Sequence, residues 1–217
     1  MKNIIALIFI SNLLIFSSDV CDIKKIKGFE FGTSKEEALK NKEVEFKFSS
    51  YQEMANAFSV SIEELKKTEQ DTGLCLMCIF STSFAGYPAE GNVAFSEKGL
   101  YSFTSTFNIE TSNKTKYIDA YFKLKNLLTK KYGAPDEIEY LEYPYEDDFP
   151  RGDHAGTALS VGKGEYWSAF SCKDDENIYI NLKLTGDNYK LSLGLAYVNR
   201  NFDKDQETKL QESLDEF

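Results

Sequence analysis

The chain has 217 residues, 42% of them apolar, and 35 acidic side chains against 25 basic ones give a net charge of −10. That length and apolar content suffice for one domain with a real core. The acidity makes nucleic acid a poor partner, so none is expected, and disfavours anionic membrane surfaces, because both demand a basic footprint.

The first residues, MKNIIALIFISNLLIFSSDVCD, place Lys2 before an apolar run from Ile4 to Phe16 broken only by Ser11 and Asn12. Such a run is short for a membrane span and suits the apolar segment of a secretory leader. Residues 1–20 are therefore read as a signal peptide, 21–200 as a single α+β domain, and 201–217 as a charged tail or short helix. The expected address is secreted or periplasmic. Cys21 follows Asp19 and Val20, a poor match to a lipidation site, so membrane association is expected only if Cys21 is lipidated.

Past the leader, Ser34 and Glu37 in FGTSKEEALK have capping-box spacing and predict a short helix. EVEFKF alternates Val44, Phe46 and Phe48 with charged residues, the pattern of a half-buried strand. Ser61 and Glu64 repeat the capping-box spacing and predict a helix ending before Gly73. LCLMCIFSTSF, GNVAF and LYSFTSTFNI read as strands. Tyr117, Tyr121, Leu124, Leu128 and Tyr132 then recur at helical spacing, with Gly133 and Pro135 to end the helix.

The second half reads as a meander: EIEYLEY, an acidic loop, EYWSAFSC, NIYINLKL and YKLSLGLAYV. One α+β fold follows, an antiparallel sheet with helices packed on one face.

Four cysteines in an exported chain predict disulfides. Cys75 and Cys78 form a C-x-x-C inside a stretch of strand composition. Three residues of strand separate Cα atoms by about 10 Å, whereas a disulfide tolerates about 4.4–6.8 Å. A bond between these two is therefore excluded on the strand reading. Two pairings remain open: Cys78–Cys172 with Cys21–Cys75, or Cys75–Cys172 with Cys21–Cys78. A thioredoxin-like site is disfavoured because no helix begins at the pair.

The acidic loop gathers Asp147, Asp148, Asp153 and His154, oxygen-rich groups suited to a hard cation. The order of a calcium-binding loop is absent, and a solvated surface loop explains the cluster more simply. Around the loop ends stand Tyr145, Phe149, Tyr166 and Trp167, side chains that anchor interfaces well because they bury much area with few rotatable bonds. A lone histidine and the lack of any nucleophile motif argue against an enzyme. The expectation is a non-catalytic module that binds another protein and needs no cofactor. The rival is an envelope enzyme or metal-dependent binder built on residues 146–154.

FEFGTSKEEALK, LKNLLTKKYGAP and GLAYV resemble motifs of small uncharacterised exported bacterial proteins. Some of those have folds like β-lactamase inhibitors or outer-membrane assembly lipoproteins. The resemblance implies helices on an antiparallel sheet and an envelope address, and it carries over no site residue. The chain departs from the lipoprotein pattern at Ser18 to Val20.

Overall fold

The computed structural model describes residues 23–48, 50–109, 113–141 and 155–202. The leader and all but the first two residues of the tail lie outside these.

The N-terminal elements are short: β1 (Lys25–Ile26) pairs with β2 (Phe29–Glu30), and α1 (Lys35–Ala38) follows. Ser34 begins α1, its hydroxyl accepting from the Glu37 N–H, as the spacing predicts. The EVEFKF strand shrinks to β3 (Glu45–Phe46) at one sheet edge. Next come α2 (Tyr51–Phe58), which the sequence reading did not anticipate, and α3 (Ile62–Thr72). Ser61 and Glu64 form the full reciprocal capping box of α3, and Gly73 closes it.

The body of the molecule is an eight-stranded antiparallel sheet. Its strands are β3, β4 (Phe80–Phe84), β5 (Tyr87–Ser96), β6 (Gly99–Phe107), β7 (Asp136–Leu141), β8 (Gly164–Ser171), β9 (Ile178–Asp187) and β10 (Lys190–Asn199). Their spatial order is β3-β4-β5-β6-β10-β9-β8-β7. Two meanders thus meet where β6 pairs with β10. Between them α4 (Thr115–Tyr132) crosses over, and α5 (Ala155–Ser160) precedes β8. Gly133 follows α4 with a φ of 93°, a backbone state that costs glycine little and other residues much.

Alternation decides the two faces. Phe80, Val93, Phe103, Leu195, Leu182 and Phe170 are all buried and fall on one side of the sheet. On this side α4 buries Ala120, Tyr121 and Leu124. The Tyr121 hydroxyl shares a 2.6 Å hydrogen bond with Ser168 of β8, which satisfies both buried groups. Tyr197 of β10 is buried beside Tyr132, and this burial, then the neighbouring hydroxyl, hold its phenol above the usual tyrosine range.

Toward the other end of the same face, Phe29 meets Phe80 and Phe103 at ring-centroid distances of 5.2 and 5.8 Å, with Phe46 on its flank. Room for the Phe80 ring comes from Gly91 directly across on β5, where a Cβ would lie 2.6 Å from that ring. A second small core, Met54, Ala55 and Leu65 with Phe48, Leu76 and Ile79 against them, joins α2 and α3. Helices on one face of an antiparallel sheet are thus what the molecule has.

The cysteine expectation fails here. Cys75 and Cys78 are bonded to each other, with Cα atoms 5.2 Å apart. Both pairings that the strand reading left open are thereby overturned. Strand pairing does start at Leu74, opposite Ala94, and the Cys75 N–H donates to Val93 O. The chain then leaves the sheet in a 3-10 turn over Leu76–Cys78, closed by Cys78 N–H to Cys75 O at 3.0 Å, before β4 resumes at Phe80. That turn brings together two side chains an extended chain would hold apart. Both cysteines are core residues, 2% and 0% exposed. Cys172 is disulfide-bonded too.

Candidate functional site

Of the side chains that the sequence singles out, Tyr145, Phe149, Asp147, Asp148, Asp153 and His154 lie outside the described residues. Tyr166 and Trp167 can be placed, and they diverge. They are neighbours on β8, so alternation sends them to opposite faces. Tyr166 is 5% exposed and stacks near Tyr121 and Phe122, with centroids 5.3 and 5.4 Å away. It is a core residue and offers no surface to a partner. Among the described residues no group of His, Cys, Asp and Glu is arranged to hold a metal ion, and no helix is long and apolar enough to cross a membrane.

Trp167 belongs to the face that α4 and α5 leave uncovered, and it is half-buried. The strand register defines this face in rows. One row runs Trp167, Lys183, Gly194, Thr106, Glu90 and Ser81 from β8 to β4. The next runs Ala169, Asn181, Ala196, Thr104 and Asn92. Short side chains dominate both rows and give a flat surface dense in hydrogen-bonding groups. Lys183 forms a 2.7 Å ion pair with Glu165 beside the indole. The Thr104 hydroxyl bonds to Asn92 Oδ1. Asn181 lies in the middle of this face, where its Oδ1 is itself buried and has no hydrogen-bond partner among the described residues.

A concave feature lies where α1, α2 and α3 converge on the C-x-x-C turn. Lys35 Nζ donates to Glu69 Oε2 at 2.7 Å and to the Tyr51 hydroxyl at 3.0 Å. The Tyr51 hydroxyl also donates to Glu69 Oε2, and the other carboxylate oxygen accepts the Leu76 N–H of the turn. One carboxylate therefore joins three helices to the disulfide turn. Burial pulls the Lys35 pKa down, but bonds to Glu69 and Tyr51 outweigh it, and the ammonium titrates above its usual range. Burial and then the Glu69 bond raise the Tyr51 phenol as well. Above this cluster opens a cavity of about 340 Å³ whose wall includes Lys66, Gln70, Leu74, Cys75 and Phe95.

Sequence patterning did not single out this cluster. A partial signal exists: Lys66, Glu69, Gln70 and Gly73 recur at the spacing of one helical face. Nothing local in the sequence connects that face to Lys35, more than a turn of chain away in another helix.

No family model, no curated protein and no solved structure matches the chain.

Proposed function

We propose that the protein is an exported, non-catalytic binding module whose partner is another protein, received on the uncovered face of the sheet. The observation that supports this most is the position of Trp167, the sole tryptophan of the chain. A large rigid side chain stands half-buried at one side of a flat polar surface, beside an ion pair. Interfaces concentrate their energy in such aromatic anchors, surrounded by polar groups that make directed bonds. Oxidised cysteines favour an exported setting, since disulfides persist outside the reducing cytosol.

The test uses the tryptophan both as anchor and as reporter. A partner recovered from the native envelope or secreted fraction with the oxidised protein as bait should change the Trp167 emission on titration. Trp167→Ala should weaken that complex by about 2 kcal/mol, roughly thirtyfold, the scale of an interface hot spot. Ala196→Lys, which adds bulk and charge two strands away, should also weaken it. Binding unchanged in both variants, with circular dichroism confirming the fold, would remove this face from the proposal.

Export carries its own expected result. The intact mass of the natively produced protein should begin near residues 18–21 and show no alkylatable thiol until it is reduced. A mass that retains Met1 would exclude a cleaved leader, and a lipid-sized increment at Cys21 would make the protein membrane-anchored.

A further inference from the structure

The 340 Å³ cavity beside the C-x-x-C turn has a chemistry distinct from the sheet face. It lies at the small end of the volume range of ligand pockets. Three charged groups line it, Lys35, Lys66 and Glu69, and their sum is one surplus positive charge within a chain of net charge −10.

The two lysines have different roles. Lys35 is fixed: Glu69 and Tyr51 take two of its three N–H donors, and its ammonium stands 5.3 Å from the Tyr51 ring centroid. Lys66 is exposed on α3, and its ammonium lies 5.6 Å from the centroid of the same ring. Among the described residues it has no carboxylate within ion-pair distance. The Glu69 carboxylate is occupied on both oxygens, by Lys35 and Tyr51 on one and by the Leu76 N–H on the other. It fixes Lys35 in place and offers little repulsion to an incoming anion. The lining also has apolar members: Leu74, Phe95 and the buried disulfide through Cys75. The Gln70 amide adds a neutral donor and acceptor to the lining.

We infer that this cavity is a binding site for a small monocarboxylate bearing an apolar substituent. The carboxylate meets the Lys66 ammonium, which has no carboxylate partner among the described residues, and the remaining Lys35 donor, and the substituent lies against Leu74 and Phe95. A cation is refused by the surplus positive charge. A bare phosphate gains the charge contacts and forfeits the apolar wall. The inference does not depend on the sheet face, since the two surfaces share no residue.

Hexanoate is a suitable probe, with hexylammonium and inorganic phosphate as controls, titrated into the oxidised exported protein labelled with 15N. Hexanoate at millimolar concentration should move the amide resonances of Gln70, Gly73, Leu74 and Phe95 in a saturable way and leave the Trp167 indole signal in place. Lys66→Glu, on an exposed helical position, should weaken binding about tenfold, the loss of one charge-assisted contact plus added repulsion. Lys66→Arg should retain binding. Four outcomes would each overturn the assignment: no saturable shift with hexanoate, equal shifts with hexylammonium, phosphate binding as tightly as hexanoate, or an unchanged affinity in Lys66→Glu whose remaining spectrum is native.

Discussion

Phe80→Ala should lower the unfolding free energy by about 3–5 kcal/mol, the range for deleting a fully buried aromatic side chain. The position explains the magnitude. Phe80 is 0% exposed and lies between Phe29 and Phe103, with ring centroids 5.2 and 5.3 Å away. Phe46 meets it edge-on from the last strand of the sheet. Opposite it stands Gly91, which has no side chain to fall into the space. A cavity therefore stays open after truncation and its lining loses contacts on every side. Urea unfolding followed by Trp167 emission and by far-ultraviolet circular dichroism measures the loss. A change below about 1.5 kcal/mol would mean that the N-terminal hairpin collapses onto the vacancy, the better-relaxed end of such series.

The other large effect is expected at Glu69. Glu69→Ala should cost about 2–4 kcal/mol, because it leaves a lysine ammonium, a phenol hydroxyl and a backbone N–H without their common acceptor. The Glu69 side chain is 10% exposed and that of Lys35 is 29% exposed, so the pair is desolvated enough to exceed the value of an ordinary surface ion pair. Glu69→Gln should cost less, since an amide oxygen still accepts from one donor.

The same cluster gives stability a dependence on pH. The folded-state pKa of Lys35 lies above its unfolded value of 10.5, and that of Tyr51 above 10.0. In both cases the folded state binds its proton more tightly than the unfolded chain. The contribution is complete below the unfolded pKa values and is lost as pH rises through the folded ones. Denaturation midpoints of the wild type should fall across that alkaline window. Glu69→Ala should show a shallower fall, and parallel slopes for the two proteins would separate the carboxylate from the titration.

Much of the fold was legible because its signals are local. The α4 stripe, the two capping boxes at Ser34 and Ser61, and the alternation of Ile178–Leu184 and Leu191–Tyr197 each depend on contacts within a few residues, and each element stands where its pattern points. The C-x-x-C misled for an instructive reason. LCLMCIF has strand composition at both ends, and strand pairing does occur at Leu74 and again from Phe80. What alternation cannot show is that Glu69, at the end of the preceding helix, holds the Leu76 N–H and draws the segment between them into a turn. The Lys35–Tyr51–Glu69 cluster was missed on the same account, since its members come from three helices and meet only in the folded molecule. Tyr166 and Trp167 look equivalent as aromatics in a row, and only the knowledge of which sheet face is covered separates the core side chain from the half-buried one.

The join between β6 and β10 has a consequence for how the chain reaches this state. Every other central pairing of the sheet links strands that follow one another in sequence, whereas Thr106 faces Gly194 across the whole of α4 and the second meander. Forming it requires closing a long loop, and the entropy of closure is spent before any contact at the join repays it. Each meander can assemble early on short-range contacts. Their docking along β6 and β10 then becomes the slow event, and until it happens both strands present open edges to other molecules. The centre of the finished sheet is thus the last part to form and the most exposed to error while the chain folds.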